Sequence, residues 1–216
     1  MATATFRFHD ELNAFLPRAQ RDRAFGHACA RDATVKHAIE ALGVPHTEIG
    51  RLCVNDAPAT LDRPLDDGDR VEAFPERAQP ATVNGATAPQ PAQWRFVADA
   101  HLGGLAQLLR LAGFDTCYDN HYRDDELAAL AARDDRVVLT RDRELLKRRA
   151  VARGCYLHAL QPADQLRELF ERLDLAPHMR PFRLCRRVFW EGSHWRRMRT
   201  VVDAMRAPPP AGEHEA

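Results

Sequence analysis

Phe96-Val97-Ala98-Asp99-Ala100-His101-Leu102-Gly103-Gly104-Leu105-Ala106 opens on three apolar residues, reaches an aspartate and then changes period. Leu102, Leu105, Ala106 and Leu109 recur at the spacing of one helical face, and Gly113 supplies a stop, so a strand here delivers its chain into a helix. The same step follows twice more. Thr116-Cys117-Tyr118 ends at Asp119, and Asp124 and Asp125 open a helix carrying Leu127, Leu130 and Ala131. Val137-Val138-Leu139-Thr140 leads to Arg141-Asp142 and a basic helix through Arg149, after which Cys155 to Leu160 reads as a strand and Pro162 starts a helix with Leu166, Leu169, Phe170 and Leu173. This alternation predicts an α/β domain, a parallel sheet with helices on both faces.

Upstream the order differs. Thr5-Phe6-Arg7-Phe8 alternates as a strand does, Thr34 precedes a helical stripe of Val35, Ala38, Ile39 and Leu42, and Arg51–Asn55 and Arg70–Phe74 are two further strands, the second introduced by the turn Asp66-Asp67-Gly68-Asp69. A small mixed sheet wrapped around one helix satisfies these signals. Between the two patterned regions, Gln79 to Ala92 holds no charge and contains Pro80, Pro89, Pro91 and Gly85, a linker composition. The expected division is residues 1–78, a linker at 79–92, the α/β domain at 93–206 and a disordered tail at 207–216, where Pro208-Pro209-Pro210 stops any helix.

Composition narrows the classes. The chain has 216 residues, 45% of them hydrophobic and 29% charged, enough apolar content for ordinary globular burial. No apolar run approaches the roughly 20 residues of a bilayer span, and the N-terminus lacks a basic stretch followed by an apolar core, so a cytoplasmic protein without membrane contact is expected. Five cysteines without a C-x-x-C pair read as reduced thiols. Lys and Arg balance Asp and Glu at 31 each, yet residues 180–216 hold eight basic against four acidic side chains.

Ligands of an open parallel sheet gather beyond the carboxyl ends of its strands. Asp99, Asp119 and Asp142 fall at such ends, and Asp124 and Asp125 follow on the same edge. Carboxylates crowded together raise their pKa values or share a hard divalent cation, magnesium or manganese, and a cation so held suits phosphodiester hydrolysis. Arg141, beside Asp142, offers a planar fork for a phosphate oxygen. Each aspartate also has a simpler reading: Asp99, Asp124 and Asp142 as helix caps, Asp119-Asn120 as a turn, Asp125 as a favourable charge in a first helical turn.

Two resemblances join these residues. Val54-Asn55-Asp56 and Leu65-Asp66-Asp67-Gly68-Asp69-Arg70-Val71 resemble ubiquitin-like β-grasp domains of the sulfur-carrier type over residues 5–76, although Phe74-Pro75-Glu76-Arg77 runs on where those carriers end in a free Gly-Gly. The block from Phe96 to Ala106, Leu109-Arg110-Leu111-Ala112-Gly113-Phe114-Asp115-Thr116, Asp124-Asp125-Glu126-Leu127, Leu139-Thr140-Arg141-Asp142 and Val188–Met198 is similar to the Mut-seven C-terminal ribonuclease domain, a PIN-like nuclease family. That resemblance implies a PIN-like fold in which Asp99, Asp124 and Asp142 bind metal and cleave RNA. Relatives insert a zinc ribbon with two cysteine pairs, whereas Pro181-Phe182-Arg183-Leu184-Cys185 keeps one cysteine, so no zinc is expected.

Residues 180–199 contain seven arginines against Glu191 alone, interleaved with Phe182, Phe189, Trp190 and Trp195. Arginine pairs with phosphate and aromatic rings stack on bases, so Arg186, Arg187, Trp195, Arg196 and Arg197 are candidate contacts for single-stranded RNA. The same aromatics could instead pack on the sheet beneath a solvated basic surface. The sequence thus predicts a metal-dependent ribonuclease preceded by a β-grasp domain able to recruit a protein partner. The alternative is an inactive RNA-binding or adaptor protein.

Overall fold

A computed structural model describes residues 2–75, 94–180 and 193–205, with 193–195 described in their backbone only. The expected linker and tail lie outside the described residues. The N-terminal sheet comprises β1 (Ala2–Phe8), β2 (Phe25–Cys29), β3 (Ile49–Val54), the short β4 (Ala57–Pro58) and β5 (Arg70–Pro75), in the spatial order β2-β1-β5-β3-β4. β1 and β5 run parallel at its centre and the other pairs are antiparallel. α1 (Val35–Ala41) starts at Thr34, whose hydroxyl accepts from the His37 backbone, and lays Val35, Ala38 and Ile39 on the sheet among Ala4, Phe6, Phe8, Val71 and Ala73. This is the β-grasp arrangement expected of the sequence.

β2 carried no sequence signal strong enough to be read. Phe25-Gly26-His27-Ala28-Cys29 has a glycine and two small residues, and as a half-exposed edge strand it is held by register with β1 rather than by its own propensity.

The second sheet has four strands, β6 (Arg95–Ala98), β7 (Asp115–Tyr118), β8 (Val137–Thr140) and β9 (Gly154–Tyr156), in the order β7-β6-β8-β9 and all parallel. Successive residues of the central strands face opposite ways. Phe96, Ala98, Val137 and Leu139 pack with α2 (Gly103–Leu111), α5 (Pro162–Leu173) and α6 (Ser193–Ala204), while Val97 and Val138 pack with α3 (Asp124–Asp134) and α4 (Arg143–Leu146). Helices on both faces, burying apolar side chains worth about 1.5–3 kcal/mol each, confirm the α/β architecture.

Two boundaries differ from expectation. The basic helix expected to run through Arg149 ends at Leu146, because Lys147-Arg148-Arg149 has no apolar face to bury and the chain must turn to place Val151 in the core. The strand expected from Cys155 to Leu160 ends at Tyr156. Beyond it the Glu168 carboxylate accepts the backbone N–H groups of His158 and Ala159, taking the place of a ladder.

The two domains are joined by buried contacts. The turn His46–Glu48 of the β-grasp domain packs on β9, covering an edge of the parallel sheet. Glu48 accepts from the Tyr156 backbone N–H at 2.7 Å and from Arg172 Nη2 at 2.7 Å, and His46 lies between the Glu40 carboxylate and the Val151 carbonyl.

Candidate active site

β6 hands its chain to α2 on one face of the sheet, and β8, its neighbour, hands its chain to α4 on the other face. The chain therefore parts between the carboxyl ends of these strands, the switch point at which open α/β sheets place their ligands. Asp99 is the first residue after β6 and Asp142 the second after β8.

One hydroxyl joins them. Thr140, the last residue of β8 and fully buried, donates its Oγ1 proton to Asp99 Oδ2 at 2.7 Å, and the same oxygen accepts the Asp142 backbone N–H at 2.9 Å. Asp99 Oδ1 receives the Ala100 N–H and Asp142 Oδ1 the Glu144 N–H at 2.8 Å, so both aspartates do cap the helical turns they precede. Capping leaves oxygen lone pairs on each carboxylate, and each is open to solvent to some degree. The sequence reading missed Thr140 as a member of the site. A hydroxyl residue closing a buried strand two positions before an aspartate was its only signal.

The other acids are arranged differently. Asp124, in the first turn of α3, is paired with Arg148 Nη2 at 3.0 Å, and the cap position there belongs to Arg123, whose backbone N–H is held by Glu126. Asp125 is exposed and lies 3.4 Å from Arg123 Nε. Asp119 forms the turn: its Oδ1 accepts from the backbone N–H and the Nδ1 of His121, which together hold its carboxyl below the ordinary aspartate range. Among the described residues no three His, Cys, Asp or Glu side chains stand close enough together to hold a metal ion. Asp99, Asp124 and Asp142 are thus not gathered into a ready three-carboxylate pocket. Asp124 is instead paired with Arg148.

Arg141 is exposed beside Asp142. Of the basic candidates for RNA, Arg196 and Arg197 are exposed on α6, which packs against α2 through Val202; Arg186 and Arg187 and the Trp195 side chain lie outside the described residues, as does Cys185. The described cysteines 29, 53 and 117 are free thiols. No helix among the described residues is long and apolar enough to cross a membrane.

The glycine pair at the start of α2 serves close packing. A Cβ on Gly103 would sit 2.6 Å from the Tyr118 hydroxyl, which donates to the Ala100 carbonyl at 3.0 Å and so steadies the turn after Asp99. A cavity of about 280 Å³ lined by Trp94, Gly113, Phe114 and Met179 lies at the opposite, amino end of the sheet, away from the carboxylates.

A β-grasp sheet followed by a four-stranded parallel sheet, with two aspartates at its switch point, defines a two-part α/β protein. Comparison with known families adds to this: residues 1–80 match the Mut7-C ubiquitin family and residues 94–186 the Mut7-C RNAse domain family, the two matches following one another along the chain. Two crystal structures of small archaeal modifier protein 1 from Haloferax volcanii are similar to the chain. One is 21% identical, covering 35% of this chain and 98% of that one with a TM-score of 0.28; the other is 19% identical, covering 39% and 100% with a TM-score of 0.29. No curated protein matches the chain.

Proposed function

We propose that the chain is a cytoplasmic, metal-dependent ribonuclease hydrolysing phosphodiester bonds in RNA, with Asp99 and Asp142 at the centre of its site. The observation that carries this reading is the pair of carboxylates tied through Thr140 at the switch point of an RNase-family domain. Their chemistry fits magnesium or manganese, since magnesium keeps several waters and is ordinarily held by one or two carboxylates together with substrate phosphate. Asp99 and Asp142 would hold it, with Asp124 and Asp119 as further acids on the same sheet edge. Such a cation supplies Lewis-acid stabilisation of the phosphodiester oxygens. Arg141 binds a non-bridging oxygen, and Arg186, Arg187, Trp195, Arg196 and Arg197 receive single-stranded RNA.

Asp99→Asn and Asp142→Asn preserve side-chain shape and part of the capping. Both proteins are expected to stay folded by circular dichroism while divalent-dependent cleavage of single-stranded RNA falls by at least about a hundredfold, the scale of removing one preorganised electrostatic group. Wild-type rates in both would remove the assignment. The Asp124–Arg148 pair favours a second reading, an RNA-binding or adaptor protein whose β-grasp domain recruits a protein partner. Salt-sensitive retention of RNA by the wild-type chain without turnover at any magnesium or manganese concentration would select it.

A further inference from the structure

The β-grasp domain reaches the carboxylate edge. Between β1 and β2 the chain runs through the short helical turns Asp10–Phe15 and Arg18–Gln20, and Phe15 is inserted against the far domain. Its ring lies 5.2 Å from that of Tyr156 and 5.5 Å from that of His158, both at the carboxyl end of β9. Its carbonyl accepts from Arg143 Nη1 at 3.0 Å, and the Arg143 guanidinium stands 4.9 Å from the Phe15 ring centre. Arg143 is the residue next to Asp142. The 9–24 connection therefore meets the rim of the site at Phe15.

That connection is basic. Immediately after Phe15 and Leu16 come Pro17-Arg18-Ala19-Gln20-Arg21-Asp22-Arg23, in which all three arginines are exposed against the single acid Asp22. Arg18 is three residues beyond Phe15, so its backbone lies within about 11 Å of that anchor even if fully extended. The segment is held in place: Arg21 Nε donates to the Leu16 carbonyl at 2.9 Å, and the Asp22 backbone N–H donates to Asn13 Oδ1 at 2.9 Å. Arg141, on the other side of Asp142 from Arg143, is likewise exposed.

We infer that Arg18, Arg21 and Arg23 of the β-grasp domain bind the phosphate backbone of the RNA presented to Asp99 and Asp142, making this domain part of the substrate surface. The inference rests on the ribonuclease reading for the identity of the ligand. Polyanion binding along a fixed run of arginines is the chemistry, since guanidinium groups pair with phosphates and release counterions. The same connection also carries the acids Asp10 and Glu11, and Glu11 acts electrostatically on His158.

The test measures equilibrium binding of a labelled single-stranded oligoribonucleotide to the full chain, in EDTA so that no hydrolysis intervenes, across a salt series. Arg18→Ala/Arg23→Ala leaves the tethering Arg21 intact. It is expected to weaken binding about tenfold and to make the slope of log K against log salt shallower by about 1.4, two contacts at about 0.7 each for a single strand. Arg31→Ala is the control. It follows β2 at the Cys29 end, paired with Ala2, whereas Arg23 precedes the Phe25 end, paired with Phe6; the strand separates them by on the order of 13 Å. Arg31→Ala is expected to change neither quantity. Unchanged affinity and slope in the double variant, equal weakening by Arg31→Ala, or no RNA binding by the wild-type chain would each overturn the inference. The two proposals fail separately: cleavage that survives Asp99→Asn and Asp142→Asn removes the catalytic reading without altering divalent-free binding. Intact binding by Arg18→Ala/Arg23→Ala removes this one and leaves cleavage standing.

Discussion

Thr140 has no exposed surface, yet its hydroxyl serves two residues far apart in sequence, Asp99 and Asp142. Valine has nearly the same shape and no hydroxyl. Thr140→Val therefore leaves a partly buried Asp142 N–H without its acceptor and frees the Asp99 carboxylate from a charge-assisted donor, costing about 1–3 kcal/mol. The expected result is a lower urea midpoint and RNA cleavage reduced about tenfold, with both restored in Thr140→Ser. Equal midpoints for wild type and Thr140→Val would contradict it. Asp99 and Asp142 could be found from sequence because a strand end is a local feature. The hydrogen bonds between them could not, since Thr140 and Asp99 are separated by 41 residues. Asp124 shows the same division: its place in the first turn of α3 is local, whereas its pairing with Arg148 depends on how α4 and α3 meet on one face of the sheet.

Strands and helices of the second domain were legible because apolar period and stop signals agree. α2 and the turn before it illustrate this, with Leu102, Leu105, Ala106 and Leu109 all buried and Gly113 following the helix end at φ +93°. That glycine is also where the chain closes on itself, because a Cβ there would meet the Arg180 backbone carbonyl, and Arg180 N–H donates to the Ala112 carbonyl at 3.2 Å. Gly113→Ala combines a left-handed backbone with a clash against main chain. It is expected to cost about 2 kcal/mol or more by chemical denaturation. A change below about 0.5 kcal/mol would show that the α2 terminus relaxes freely. Edge elements were less legible. β2 has a glycine and small residues in place of an apolar alternation, and β9 ends early because Glu168, a residue of α5, takes the backbone donors that a longer strand would have used.

Across the whole molecule, the junction centres on Glu48, 1% exposed, against Arg172 at 10%. Burial pushes the Glu48 carboxyl upward, while Arg172 and the Tyr156 N–H pull it back. Glu48→Gln keeps the shape and strands a buried guanidinium, which costs about 3–5 kcal/mol. The expected outcome in calorimetry is a lowered first transition and separate unfolding of the two domains, where the wild-type chain unfolds in one; an unchanged trace would show that the junction contributes nothing to cooperativity. By itself the sequence determined the order of a β-grasp domain and a parallel α/β domain, and the strand ends on which Asp99 and Asp142 fall, because hydrophobic period and turn chemistry act over a few residues. Only the tertiary structure decided that Thr140 links the two aspartates, that Arg148 claims Asp124, and that Phe15 meets the rim of the site. Those outcomes depend on contacts across 24 to 128 residues, and such pairings arise from packing geometry that no local pattern encodes.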